Sequence, residues 1–289
     1  MTILPGINGG PGFGAPRPPQ ISMRTIAISN HKGGSGKTTT AVNLAAALAE
    51  RGPRVLLVDL DPQCSASWWC ATDGAQPGAY EVLFQGCSLF EAARPTEVPG
   101  VQMIAGSRQL VHAEHELASE PDPQLRLRRA IGQTLNGEPR WDYVLIDCPP
   151  SLGILTTNAF IAATHAVIPV EAHVLALEGL VQLMETLTAI RQRHNPDLDI
   201  AAIVPCRVDN RTRHSQDIVA SLRSSFGDLV ATHPIRENVR IAEAPSFRKA
   251  VTTYAGTSTG AVDYRGLAEE ILTRTDGPRQ TQGVQGVTP

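Results

Sequence analysis

The sequence predicts a single α/β domain in which a doubly wound, mostly parallel sheet carries helices on both faces. Short apolar runs alternate along the chain with segments of helical periodicity. The runs RVLLVDL at 54–60 and YVLID at 143–147 are apolar enough to be strands buried inside a sheet. No Gly/Pro-rich linker divides residues 23–275. Regular strand–helix alternation without a break indicates one parallel sheet covered on both faces.

The predicted elements follow one another in a regular order. The strands are expected at 24–29, 54–60, 101–105, 143–147, 166–170 and 200–205. The helices are expected at 38–51, 151–163, 177–193, 215–226 and 260–274. Ser151 follows two prolines and is the predicted N-cap of its helix. Val181 is expected on the apolar face of the helix at 177–193, together with Leu177 and Leu180.

The composition excludes several classes of protein. The 289 residues are 42% hydrophobic, which is enough for a large core, and the net charge of −3 provides no general attraction for nucleic acid. The five cysteines contain no C-x-x-C pair, which is typical of a reduced cytosolic protein rather than of a disulfide scaffold or zinc site. No run has the length of a membrane-spanning helix, and no secretory signal is recognisable.

The two ends of the chain differ from the rest. Residues 1–22 are rich in Pro and Gly, and residues 276–289 contain mainly Gly, Gln, Thr and Pro without a period. Such segments bury too little apolar surface to offset the entropy lost on ordering. We expect both ends to be disordered and the folded domain to span 23–275.

A glycine-rich loop lies between the first predicted strand and the first predicted helix. It reads ISNHKGGSGKTTT at 28–40. Its glycines let backbone N–H groups approach phosphate oxygens, and the following helix N-terminus adds positive potential. Lys37 is expected to reach the β- and γ-phosphates of ATP, and the Thr38 hydroxyl to bind Mg²⁺. The loop therefore predicts a P-loop NTPase, although His31 stands where the usual pattern has its first glycine.

A second lysine, Lys32, precedes Lys37 by five residues. The string K-G-G-x-G-K-T-T resembles the deviant Walker A family of ATPases. This resemblance implies that Lys32 acts in trans, so that two subunits form a homodimer around two sandwiched ATP molecules. The predicted ATP-binding residues are Lys32, Gly33, Gly34, Ser35, Gly36, Lys37, Thr38 and Thr39.

Acidic residues follow two of the predicted strands. Asp59 and Asp61 lie in LLVDLDPQ at 56–63, and Asp147 ends the Walker B-like string YVLID. The resemblance implies that Asp61 orients the attacking water, with Lys32 and Lys37 as its catalytic partners. Thr38, Asp59 and Asp147 are the predicted magnesium residues. No glutamate follows Asp147, so we expect slow hydrolysis, which suits a timed switch.

Downstream segments extend the resemblance over about residues 24–273. VDNRTRHS at 208–215 and NVRIAEAPSFRKAV at 238–251 resemble the ParA partition ATPases. The resemblance implies an ATP-bound dimer that binds DNA without sequence preference and is therefore cytoplasmic and nucleoid-associated. A ParB-like protein or a cargo adaptor would stimulate its hydrolysis. The chain departs from the family pattern at Cys64 and Arg248, which replace common glycines, and at Arg236-Glu237, where Pro-Arg is frequent.

Four cations near the C-terminus are the candidate DNA contacts. Arg236, Arg240, Arg248 and Lys249 lie within fourteen residues, and phosphate binding requires only a row of positive charges. The alternative is an ordinary solvated surface. A MinD-like membrane protein is a second alternative, but the sequence ends QTQGVQGVTP and lacks a basic amphipathic helix. A P-loop phosphoryl-transfer enzyme and a protein regulator that uses ATP only to dimerise also remain open.

Overall fold

The computed structural model describes residues 23–276, apart from 118–119, 136–139 and 173–175. The predicted disordered ends lie outside the described residues, with the exception of Asp276. That residue ends the last helix, which extends two residues beyond the C-terminal end that the sequence pattern indicated.

One eight-stranded sheet forms the centre of the domain, in the order β3-β4-β2-β5-β1-β6-β7-β8. Each neighbouring pair is parallel except β3 and β4 at one edge, which are antiparallel. The strands are β1 Arg24–Ile28, β2 Val55–Asp59, β3 Arg94–Pro95, β4 Val101–Ile104, β5 Tyr143–Asp147, β6 His165–Glu171, β7 Asp199–Val208 and β8 Ile235–Arg236.

Helices connect the strands and cover both faces of the sheet. They are α1 Lys37–Ala49, α2 Ser65–Trp69, α3 Ala79–Phe84, α4 Leu89–Ala92, α5 Ala113–Leu117, α6 Arg126–Gln133, α7 Ile154–Ala162, α8 Ala176–Arg193, α9 Arg213–Phe226, α10 Val239–Glu243, α11 Val251–Tyr254 and α12 Thr259–Asp276. Short 3₁₀ turns lie at Arg108–His112, Pro123–Leu125, Gly227–Leu229 and Ala244–Phe247.

Alternate residues of the strands divide the apolar core into two layers. In β1, Ile26 and Ile28 pack in the layer that contains α1 and α12, whereas Ala27 packs in the layer that contains α7 and α8. This division follows from the period of two in a strand. It confirms the predicted doubly wound α/β fold.

The structure differs from the sequence pattern in local detail. The predicted N-cap at Ser151 is wrong: α7 begins at Ile154 behind Gly153, because the chain bends through 150–153 before it enters the helix. Val181 is 36% exposed, so the apolar face of α8 is narrower than expected. Apart from β4, which was expected at 101–105, the short elements between β2 and β5 carry too few periodic positions to be recognised from sequence.

The order of the central strands brings three functional segments to one edge of the sheet. β5 lies between β1 and β2, and Asp147 is in register with both Ile28 of β1 and Asp59 of β2. The glycine-rich loop leaves β1 at this same edge. In open parallel sheets, ligands bind in the crevice at the carboxyl ends of the strands.

Candidate nucleotide site and basic surface

The glycine-rich loop has the backbone that phosphate binding requires. Gly34 and Gly36 adopt φ values of 75° and 89°, the left-handed region that glycine enters most easily. Gly36 is the N-cap of α1 and supplies no side-chain acceptor. The N–H groups in the first turn of α1 are therefore available to an anion in front of the loop.

The two lysines of the loop occupy different environments. Lys37 is buried, and its Nζ donates to the backbone oxygen of Lys32 at 3.1 Å, so its side chain closes back over the loop. Burial lowers the pKa of Lys37, while the charge of Asp147 opposes that change. Lys32 is half-buried, and its backbone N–H donates to Oδ1 of Asn30 at 3.1 Å.

His31, which stands where the usual pattern has its first glycine, packs against α8. Its ring lies against Gly179 of α8 so closely that a Cβ at Gly179 would meet Cε1 of His31 at 1.8 Å. The preceding residue, Asn30, donates from Nδ2 to the backbone oxygen of Pro169 in β6 at 2.7 Å. The start of the loop is thus held between β6 and α8.

Asp147 is the residue best prepared for a magnesium complex. Its side chain is fully buried, and within the described part of the chain neither carboxylate oxygen has a hydrogen-bond partner. Burial and the nearby Asp59 hold the pKa of Asp147 well above its ordinary value, and the adjacent Thr38 hydroxyl acts in the opposite direction. The buried hydroxyl of Ser35 also lacks a partner among the described residues. A phosphate-bound Mg²⁺ would provide these groups with partners, so the residues present fit ATP and Mg²⁺.

Asp59 organises the segment that follows β2. Its Oδ2 accepts from the backbone N–H of Ser67 at 2.9 Å and from the Ser67 hydroxyl at 2.7 Å, and its Oδ1 accepts from the N–H of Asp61 at 3.1 Å. Burial raises the pKa of Asp59 to about 6, against these hydrogen bonds. Direct metal ligation by Asp59 stays a prediction, because both of its carboxylate oxygens already accept hydrogen bonds from the protein.

Asp61 lies in a turn after the strand rather than on its continuation. β2 ends at Asp59, and Oδ1 of Asp61 accepts from the backbone N–H of Gln63 at 2.9 Å. Cys64, three residues after Asp61, has a φ of 54° and is the N-cap of α2. Arg248 has a φ of 52°. Both positions where this chain departs from a family glycine are therefore in the left-handed region, which gives those glycines a physical reason.

A cleft of about 670 Å³ opens beside the loop, and the sequence pattern did not indicate it. The residues of the loop that line it are Gly34 and Gly36, followed by Thr39 of α1. Its other lining residues include Ile235, Asn238, Val239, Pro245 and Tyr264. Its volume is in the range of small-ligand sites. The apolar residues come from β8, α10 and α12, which are distant in sequence from the loop, so only folding reveals the cleft.

The four predicted DNA-binding cations differ in their environments. The Nε of Arg236 donates to both carboxylate oxygens of the buried Asp263 at 3.1 and 3.0 Å, and Arg236 lines the cleft. Arg240 pairs with Glu243 at 2.9 Å on an exposed surface. Arg248 pairs with Asp73 at 3.5 Å, and Lys249 is exposed. Arg236 is thus committed to an internal carboxylate, whereas the other three lie at the surface.

The described residues contain neither a membrane-spanning helix nor a cluster of metal-ligating side chains. Within the described ranges, no helix is long and apolar enough to cross a membrane. In the same residues, no cluster of three or more His, Cys, Asp or Glu side chains could hold a metal ion. The five cysteines are free, and Cys148 and Cys206 are buried.

The fold and the site define a P-loop ATPase. A family model described as an AAA domain matches residues 23–200. The chromosome partitioning protein ParA of Caulobacter vibrioides (strain NA1000 / CB15N) is 41% identical over 254 residues, which cover 87% of this chain and 95% of that protein. The chromosome-partitioning ATPase Soj of Thermus thermophilus is 45% identical over 255 residues, which cover 88% and 98%. The chain belongs to the ParA/Soj family of ATPases, whose cofactors are ATP and Mg²⁺.

A solved structure supports the same assignment of the fold. The cobyrinic acid a,c-diamide synthase from Mycobacterium smegmatis, with bound ADP and magnesium, superposes with a TM-score of 0.77 at 33% identity. The match covers 89% of this chain and 97% of that one. The ligands of that structure agree with the buried, unpartnered carboxylate and the open loop found here.

Proposed function

We propose that this chain is a partition-type switch whose ATP-bound dimer binds DNA without sequence preference and positions a chromosome, plasmid or protein cargo. The observation that carries the proposal is the second lysine of the loop, Lys32, in a chain 41–45% identical to chromosome-partitioning relatives. Lys32 is half-buried at the mouth of the loop, while the chain's own Lys37 already covers the phosphate position. A second cation at this point suits the phosphate of a nucleotide bound to another subunit.

The ATP site combines the loop with the neighbouring carboxylates. Backbone N–H groups of residues 33–39 and the Lys37 ammonium bind the phosphates, and Thr38 with Asp147 holds the metal. Bound Mg²⁺ neutralises charge on the phosphates. Asp61 orients the attacking water, and its position depends on the hydrogen bond from its N–H to Asp59. Because no glutamate follows Asp147, intrinsic hydrolysis is slow.

The 670 Å³ cleft holds the base and ribose of the nucleotide. It adjoins the loop at Gly34, Gly36 and Thr39, where the phosphates bind, and its far wall is apolar. Ile235 and Val239 present apolar surface to a planar base, and Asn238 adds a polar side chain at the same wall. Arg236 contributes to this cleft and keeps its pair with Asp263.

DNA binding involves the surface cations Arg240, Arg248 and Lys249. The two arginine pairs are exposed, with side chains 52% and 43% accessible for Arg240 and Arg248. An exposed ion pair contributes little free energy, so a DNA phosphate can replace the Glu243 carboxylate beside Arg240. One copy supplies a small patch, and a dimer doubles it, which links DNA affinity to ATP through avidity. A ParB-like partner or cargo adaptor then stimulates hydrolysis and release at the nucleoid.

The test measures duplex binding and dimerisation together. The full chain is incubated with random-sequence duplex DNA without nucleotide, with ADP and with ATP–Mg²⁺, and each sample is also sized. We expect dimers and tight DNA binding with ATP–Mg²⁺ alone, weak binding measurable only at low salt in the other states, and Lys249→Ala to weaken binding without changing dimerisation. Arg193→Ala, an exposed cation at the end of α8, is the matched control.

Other outcomes separate the alternatives. ATP-dependent dimerisation without DNA binding would contradict the DNA-binding proposal and favour a MinD-like switch or another switch that acts on a protein partner. A monomer with rapid ATP turnover on a small acid would favour a P-loop ligase, the class indicated by the name of the structurally similar Mycobacterium smegmatis synthase.

A further inference from the structure

Side chains of the segment after Asp61 contact two consecutive basic residues near the C-terminus, Arg248 and Lys249. The guanidinium carbon of Arg248 lies 5.6 Å from the centre of the Trp68 ring, and its Nη1 lies 3.5 Å from Oδ1 of Asp73. The indole Nε1 of Trp69 donates to the backbone oxygen of Lys249 at 2.9 Å. Three side chains from one short stretch therefore hold two consecutive residues that are 175 or more positions away.

Arg248 keeps a backbone conformation that an arginine normally avoids. Its φ is 52°, and it ends the 3₁₀ turn Ala244–Phe247. A glycine would enter this region without steric cost. The ring of Trp68 and the carboxylate of Asp73 compensate for this conformation by giving the guanidinium two partners. The contact is thus specific to a chain that has both Trp68 and Arg248.

The same stretch forms one wall of a cleft beside the nucleotide loop. This cleft of about 760 Å³ is lined by Thr38 and Thr39 on one side and by Trp68, Trp69 and Asp73 on the other. The start of α2 is tied to the nucleotide edge of the sheet, since Ser67 donates twice to Asp59. Helix α2 therefore connects the nucleotide edge of the sheet to Arg248 through direct contacts.

We propose that Trp68 and Asp73 are positioning residues that hold Arg248 away from external phosphate and release it when ATP–Mg²⁺ moves the segment after Asp61. The inference rests on the proposed DNA-binding function and adds a route by which the nucleotide controls the positive charge of the surface. In the held state, Arg248 already faces a carboxylate and an aromatic ring. In the released state, it is available to the duplex.

The first test is a double-mutant cycle on nucleotide-free full-length protein. Asp73→Asn removes the carboxylate, and we expect duplex affinity to rise about fivefold, the upper range for one exposed ion pair. The slope of log K against log salt should steepen by about 0.9, the value for one added phosphate contact. In an Arg248→Gly background, Asp73→Asn should change neither quantity.

Asp228→Asn is the matched control for net charge. Asp228 is exposed in the turn after α9 that leads to Val230, which pairs with Ile203 in the middle of β7. If Asp228→Asn raises the affinity as much as Asp73→Asn, the effect is general electrostatics and the proposal is wrong. An equal effect of Asp73→Asn with and without Arg248 would overturn it as well.

The second test does not involve DNA. Of the three tryptophans, Trp68 is 45% exposed, whereas Trp69 and Trp141 are 3% and 1% exposed, so acrylamide quenching reports mainly on Trp68. We expect ATP–Mg²⁺ to increase quenching in the natural chain and to have no effect in Arg248→Gly, where the ring is already uncovered. Trp68→Phe identifies the share of Trp68 in the signal. Quenching that stays constant or falls with ATP–Mg²⁺ would refute the release.

The two tests also separate this inference from the function on which it rests. If the natural chain binds no DNA in any nucleotide state, the proposed function fails. The quenching experiment then still decides whether Arg248 is released by ATP–Mg²⁺.

Discussion

Replacing Asp147 by Asn should stabilise the nucleotide-free protein while removing its response to magnesium. Both oxygens of Asp147 are buried without a hydrogen-bond partner among the described residues, and Asp59 lies directly opposite on the neighbouring strand. An ionised carboxylate in this position is costly, because it lacks both water and partners. The asparagine has the same shape and carries no charge.

The neighbouring Asp59 shows how much a buried ionised carboxylate costs in free energy at this edge of the sheet. The pKa of Asp59 rises from 3.8 to about 6, so its ionised form costs about 3 kcal/mol relative to the unfolded chain. Burial acts on Asp147 in the same direction and raises its pKa well above the ordinary value, so an ionised Asp147 is also costly. At pH 7 the cost is limited to about 4 kcal/mol, since the carboxyl otherwise takes up a proton. The buried amide of the asparagine, which also lacks good partners, costs about 1–2 kcal/mol. Subtracting this cost, we expect Asp147→Asn to raise the free energy of unfolding by about 2 kcal/mol at pH 7.

The pH dependence follows from the raised pKa. The folded protein retains the proton up to a higher pH than the unfolded chain, so the cost is absent below the ordinary pKa of 3.8 and grows as the pH rises toward the folded value. The gain from Asp147→Asn should therefore nearly vanish at pH 5. Urea unfolding at pH 5 and pH 7 measures it, with Asp228→Asn as the exposed control. A destabilised variant at pH 7, or an equal gain at both pH values, would refute the reasoning.

Three further predictions concern the loop and the segment after β2. Lys37→Ala should abolish stabilisation by ATP–Mg²⁺, which for a ligand at 100 times its Kd is about 2.7 kcal/mol, and an unchanged thermal shift would contradict the assignment. Asp61→Ala should retain an ATP-bound dimer and lower hydrolysis by about 10²-fold or more, measured by phosphate release beside sizing; normal hydrolysis would exclude its catalytic role. Cys64→Gly should raise the free energy of unfolding by about 1 kcal/mol because φ is 54°, whereas Cys64→Ala, which keeps the Cβ, should leave it nearly unchanged.

The long periodic elements were predictable because their local pattern and their tertiary environment agree. The strands that end in Asp59 and Asp147 are fully buried, so each residue is apolar until the functional carboxylate appears. The short helices between β2 and β5, such as α2 and α4, have four or five residues, too few for a period to emerge. Ser151 failed as a cap because a cap depends on where the chain bends, which a single residue type does not determine.

The sequence alone determined the chemistry of this protein: a phosphate loop with two lysines, carboxylates at strand ends, and a fold class set by alternating apolar runs. These features are local, since spacing along the chain decides them. The tertiary structure decided what those residues contact. Only folding aligned Asp59 with Asp147, committed Arg236 to Asp263, and brought Trp68 onto Arg248 across 180 residues. Contacts between distant segments depend on the order of strands in the sheet, which no local pattern encodes.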